Sequence, residues 1–105
     1  MAGERIEKIK SAVEAADHIP AEKKPQLLGL IGMLDPVIAK VAQTHDEDAQ
    51  HIAGLVEASA QEPAPERRES LLDELKQSVE RFEASHPDLV SFVTEYSAFL
   101  SALGI

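Results

Sequence analysis

Cysteine is absent from this sequence, aromatic residues make up only 4% of it, and basic residues are outnumbered almost two to one by acidic ones. The missing cysteine excludes disulfide frameworks, thiolate zinc sites and cysteine nucleophiles together. A chain of 105 residues with no such staples fits the cytoplasm better than a secreted setting. No uninterrupted apolar run approaches the roughly 18–20 residues of a membrane span, so no membrane insertion is expected. The segment Met1-Ala2-Gly3-Glu4-Arg5 has no apolar stretch of the signal-peptide kind, and its glycine sits at position 3 rather than 2, away from a myristoylation signal.

The net charge of −9 is unevenly spread. Residues 1–43 hold six basic and six acidic side chains, whereas residues 44–105 hold four basic and thirteen acidic. A surface of that sign repels phosphate backbones and anionic lipid, which argues against nucleic-acid and membrane partners. Its general effect is to keep a small protein in solution.

What is present is helical. Valine and isoleucine recur at helical spacing and never in strand-like alternation, so the expected fold is all-α: a small bundle of about five to six helices in a single domain, residues 1–105. A first helix is predicted from about Glu4 to Ala16, with Ile6, Ile9, Val13 and Ala16 on one stripe, broken at Asp17-His18-Ile19-Pro20. A second follows from about Ala21 to Leu34, with Pro25 in its first turn and Leu27, Leu28, Leu30, Ile31 and Leu34 making it apolar on most sides. Gly29 and Gly32 lie on roughly one face of it and are read as glycines tolerated in a packed helix, with a dimerising glycine face as the other reading. Asp35-Pro36 has the form of a cap followed by a helix start, so a bend or a new segment is expected there. Thr44-His45-Asp46-Glu47 has the form of a capping box opening a helix to about Ala58.

Residues 61–65, Gln61-Glu62-Pro63-Ala64-Pro65, form a proline-containing loop that separates the N-terminal helices (1–60) from a C-terminal helical hairpin (66–105). The first arm of that hairpin is predicted from about Glu66 to Ala84, where Leu72, Leu75, Val79 and Phe82 form a narrow seam. The turn falls at Ser85-His86-Pro87, with Ser85 as the expected cap, and the second arm closes in a glycine stop at Leu103-Gly104-Ile105. All four aromatic residues, Phe82, Phe92, Tyr96 and Phe99, lie in the last 24 residues. The final helix is apolar over more than half its circumference, and such a helix must be covered on more than one side. Either the earlier helices wrap it or a second copy of the chain does. Because the earlier helices are short and alanine-rich, a homodimer through Leu89, Phe92, Val93, Tyr96, Phe99, Leu100 and Leu103 is the leading expectation, with another protein as the other possible partner.

Candidates for chemistry are few. His45, Asp48 and His51 follow one another at three-residue spacing, the best metal-ligand pattern in the chain, but His45 and His51 point about 120° apart around a regular helix. No cofactor and no catalytic residue is therefore expected. The function class is a non-enzymatic interaction or self-association module, with a small ligand- or metal-binding helical protein as the alternative.

The stretch Arg81-Phe82-Glu83-Ala84-Ser85-His86-Pro87-Asp88-Leu89, together with Phe99-Leu100-Ser101-Ala102-Leu103-Gly104-Ile105, resembles the C-terminus of a family of small bacterial proteins grouped as a domain of unknown function. The resemblance implies a bacterial, cytoplasmic, helical protein, and it brings no catalytic residues with it.

Overall fold

A computed structural model describes residues 2–103 of the chain, with the side chains of residues 2 and 3 left aside. Five α-helices account for nearly all of them, with no strand among the described residues: α1 Ala2–Ala15, α2 Lys24–Thr44, α3 Asp46–Gln61, α4 Pro65–Val79 and α5 Pro87–Leu103. A short 3-10 turn, Glu80–Phe82, follows α4. Each helix turns an apolar stripe inward, in keeping with its sequence period. Ile6, Ile9 and Val13 come from α1; Leu27, Ile31, Leu34, Ile38 and Val41 from α2; Ile52 and Val56 from α3; Leu72, Leu75 and Val79 from α4. Burying side chains of this size contributes roughly 1.5–3 kcal/mol each before the entropy of ordering them is set against it. α1 packs on α2 and α3, α4 on α3, and α5 lies against α2 and α4.

Several boundaries differ from the sequence-based expectation. α2 runs unbroken through Asp35-Pro36. Its buried positions 27, 31, 34, 38 and 41 keep helical spacing across the proline, so continuous burial outweighs the roughly 3 kcal/mol of a helix-interior proline. The capping box at Thr44 does not form. Thr44 is the last residue of α2, its hydroxyl lies 2.8 Å from His45 Nδ1, and His45 is the single residue between α2 and α3. α4 stops at Val79 rather than near Ala84, because the chain tightens into the 3-10 turn that buries Phe82. α5 begins at Pro87, where the His86 carbonyl accepts the Leu89 amide at 3.0 Å, and Ser85 stands further out in the turn, away from the capping position. The proline-containing loop is shortened to residues 62–64, and Pro65 opens α4. The expected glycine stop at 104–105 lies outside the described residues.

Candidate functional site

The three polar candidates of the histidine-bearing helix go to three different neighbours. His45 packs edge-on against Phe82, with ring centroids 5.2 Å apart. Asp48 forms an ion pair with Arg81, and His51 Nε2 lies 3.8 Å from a Glu74 carboxylate oxygen. Among the described residues no three histidine, aspartate or glutamate side chains gather as a metal-binding group. What these contacts build is a joint. Phe82 is buried between His45 and His86, whose centroid is 5.9 Å away, and the Arg81 guanidinium stands 4.9 Å over the Phe82 ring while pairing with Asp48. A charge over an aromatic face and an exposed ion pair are modest terms. Their effect is to tie the α2–α3 corner to the turn before α5.

Of the seven interface candidates on α5, Leu89, Phe92, Val93, Tyr96 and Leu100 are buried inside one chain, and Phe99 and Leu103 are half-buried at its edge. The apolar surplus that motivates a dimer through α5 is thus covered mostly by the chain's own helices. The covering helices are α2 and α4, which pack along α5. Phe92 stacks on Tyr96 at 5.4 Å between centroids.

Tyr96 carries its hydroxyl across the core. The hydroxyl donates to the Val56 carbonyl at 2.7 Å and lies 2.8 Å from Ser59 Oγ, which itself reaches the Val56 carbonyl at 2.9 Å. Burial pushes the Tyr96 phenol well above its ordinary range, offset in part by the Ser59 hydrogen bond and the positive charge of Arg68. Arg68 is itself buried, its Nη1 donating to the Glu62 carbonyl at 3.1 Å. The sequence reading did not single it out, although positions 68, 72, 75 and 79 share one helical spacing that carries the α4 seam a turn further back. Nothing in the arrangement pairs Tyr96 with a base or an open cavity. It locks α5 to α3.

Concave surface is limited. A cleft of about 160 Å³ lies between α1, α2 and α3, with Arg5 and Lys8 on its rim beside Glu4 and Asp46. That is smaller than the roughly 300–1,000 Å³ of usual small-molecule sites, and its rim charges balance each other. Arg5 is engaged, with Nε 3.1 Å from Glu57. Its guanidinium lies so close over Gly54 that a Cβ there would sit 2.8 Å from Nη2. A more open depression of about 470 Å³ beside Ala12, Ala16 and Pro63 includes His18, whose Nε2 is 3.1 Å from the Ala60 carbonyl.

The surface without an internal partner is the outer face of α2. Met33, 58% exposed, is the one exposed large hydrophobic side chain among the described residues. Around it on the same side lie exposed Pro25, Gln26, Gly29 and Pro36 and half-buried Leu30 and Val37. None of these is charged, in a protein where 28% of residues are, and exposed Lys40, about 20° around the helix from Met33, closes the strip at its C-terminal end. Asp35, the charge nearest in sequence, is half-buried on the other flank, about 160° around the helix from Met33. By length and composition α2 is also apolar enough to cross a membrane, with a mean hydropathy of 1.3 over eighteen residues of which 28% are buried. In the folded chain its inner stripe is committed to the bundle.

Fold and surface together define a small all-α bundle with a largely uncharged helix face and no metal-binding cluster among the described residues. A family model described as "Domain of unknown function (DUF4404)" matches residues 38–105, about two thirds of the chain. The protein belongs to that family. The matched region contains the Phe82–His86 joint and α5, while α1 and the part of α2 bearing Met33 precede it. No curated protein and no solved structure matches the chain.

Proposed function

We propose that this protein is a non-enzymatic protein–protein interaction module of the cytoplasm that docks its partner on the outer face of α2. The observation that supports this reading is the position of Met33. It is 58% exposed at the middle of a helix whose outward strip carries no charge between Pro25 and Val37, on a chain of net charge −9. Scattered apolar side chains are common on surfaces, but a run free of charge beside an exposed methionine is the pattern of an adaptable contact surface. The lack of cysteine agrees with a reducing compartment.

The test is a comparative pull-down with the intact chain as bait, using wild type, Met33→Glu and, as a control on the exposed side of α5, Ala98→Glu. Proteins retained by wild type and Ala98→Glu are expected to be lost with Met33→Glu. The same proteins captured at the same level by all three baits would refute docking through α2.

A further inference from the structure

Independently of the α2 face, we infer that the depression where α1 and α3 end is a binding site for a lysine side chain of a basic partner protein. The depression has a volume of about 470 Å³. It is formed by the last turn of α1, by Asp17 and His18 just beyond it, and by Gln61 and Pro63 at the end of α3. That volume falls in the usual range of ligand sites, unlike the smaller cleft between α1, α2 and α3.

The unused polar groups of the depression are nearly all acceptors. A helix ends in carbonyls that have no partner within it, and they carry the negative end of its dipole. α1 ends at Ala15 and α3 at Gln61, so two such ends meet at one depression. Neither the Ala15 nor the Gln61 carbonyl takes a backbone hydrogen bond from the described residues. Asp17 adds an exposed carboxylate. His18 directs Nε2 to the Ala60 carbonyl at 3.1 Å, and because a carbonyl only accepts, Nε2 carries the proton. In the neutral ring Nδ1 is then a further acceptor. Among the described residues no lysine or arginine lines the depression. The smaller cleft is the contrast, since Arg5 and Lys8 stand on its rim beside Glu4 and Asp46.

The chain's own cations show which group these helix ends take. Lys24 Nζ donates to the Glu14 carbonyl at 2.8 Å, one residue before the end of α1. Arg68 Nη1 donates to the Glu62 carbonyl at 3.1 Å, one residue after the end of α3. With both in place, Glu14, Asp17 and Glu62 still outnumber Lys24 and Arg68 around the two ends. An ammonium is the complement, with three donors, no acceptor and a positive charge. Lysine carries it on a methylene stem, and Ala12, Ala16 and Pro63 offer apolar surface to that stem. The depression is open on its outer side, so the stem can continue into the backbone of a peptide. The chain's net charge of −9 favours the approach of a basic protein, and the depression seats its lysine.

The test is a titration of the isotope-labelled full chain with the tripeptide acetyl-Ala-Lys-Ala-amide, followed through backbone amide chemical shifts. Saturable shifts confined to residues 12–18 and 60–64 are expected. They should vanish when the peptide is acetylated at its lysine Nε. Asp17→Asn should weaken binding at least about fivefold, because it removes the charge-assisted partner. Glu47→Gln, at the other end of α3, should leave the affinity unchanged. Ala15→Lys supplies an ammonium from within the chain and should abolish binding with helical circular dichroism unchanged.

Shifts scattered over the acidic faces of α3, α4 and α5, no saturable shift at all, or an equal response to the Nε-acetylated peptide would each overturn the site. n-Butylammonium bound as tightly as the peptide would overturn a protein lysine as the occupant and put a free amine in its place. None of these outcomes involves Met33, so they stand apart from the pull-down through α2.

Discussion

Replacing Tyr96 by phenylalanine and Ser59 by alanine, singly and together, tests the hydrogen-bond network that locks α5 to α3. Three contacts link the Tyr96 hydroxyl, the Ser59 hydroxyl and the Val56 carbonyl, at 2.7, 2.8 and 2.9 Å. The two hydroxyls own only two protons, so two of the three contacts are hydrogen bonds at any instant. Tyr96→Phe removes one proton, and the Ser59 hydroxyl, already within reach of Val56, keeps a partner. No buried donor is orphaned, so the cost should be that of one ordinary hydrogen bond plus a small void, about 1–1.5 kcal/mol. Ser59→Ala leaves Tyr96 donating to Val56 and should cost about 0.5–1 kcal/mol, part of it recovered through alanine's better helix propensity. The double variant loses both bonds. The two effects should therefore add to within about 0.5 kcal/mol, although hydrogen-bonded neighbours usually couple more strongly than that. Urea unfolding followed by circular dichroism gives the four free energies. A coupling above about 1 kcal/mol, or a Tyr96→Phe cost near the 3 kcal/mol of a stranded buried donor, would refute the re-aiming of the serine proton.

Two further outcomes follow from the buried polar groups. Tyr96 is the chain's one tyrosine and its phenol is held protonated by burial. Since the folded value lies above the unfolded value of about 10, this contribution is intact below about pH 10 and falls by about 1.4 kcal/mol per pH unit above it. Phenolate absorbance should accordingly rise together with loss of helical signal, and a phenol that titrates near pH 10 in a still-folded chain would contradict its burial. Ser97, 2% exposed, has a hydroxyl with no hydrogen-bond partner, so Ser97→Ala should raise stability by about 0.5–1 kcal/mol in the same urea assay.

Much of the architecture can be read from residue spacing. The stripes on α1 and α4 repeat the periods of Ile6-Ile9-Val13 and Leu72-Leu75-Val79, all of which are buried. Local signals misled where tertiary packing decides. The cap-like Asp35-Pro36 and Thr44-His45-Asp46-Glu47 have the composition of helix starts, yet the first lies inside α2 and the second straddles a one-residue joint. Apolar content also drew attention to α5, because it holds three of the four aromatics. How much of that surface remains free depends on how the neighbouring helices approach, and α2 and α4 cover most of it. The α2 face was visible as a helix apolar on most sides, but which side stays outside is settled only when α5 takes its place beside it. For the histidines, His45 and His51 diverge around the helix, and their neighbours, Phe82 and Glu74, come from chain segments more than twenty residues away.

The joint at His45 has a consequence for how this chain can vary. With one residue between them, α2 and α3 are geared together like meshed wheels. Inserting or deleting a residue there would turn α3 by about 100° relative to α2, swinging Ile52 and Val56 out of the core and Asp48 away from Arg81. The three-residue link at 62–64 and the longer one at 16–23 have no such gearing. Relatives of different length should place their extra residues in those two links and keep the His45 corner at fixed length.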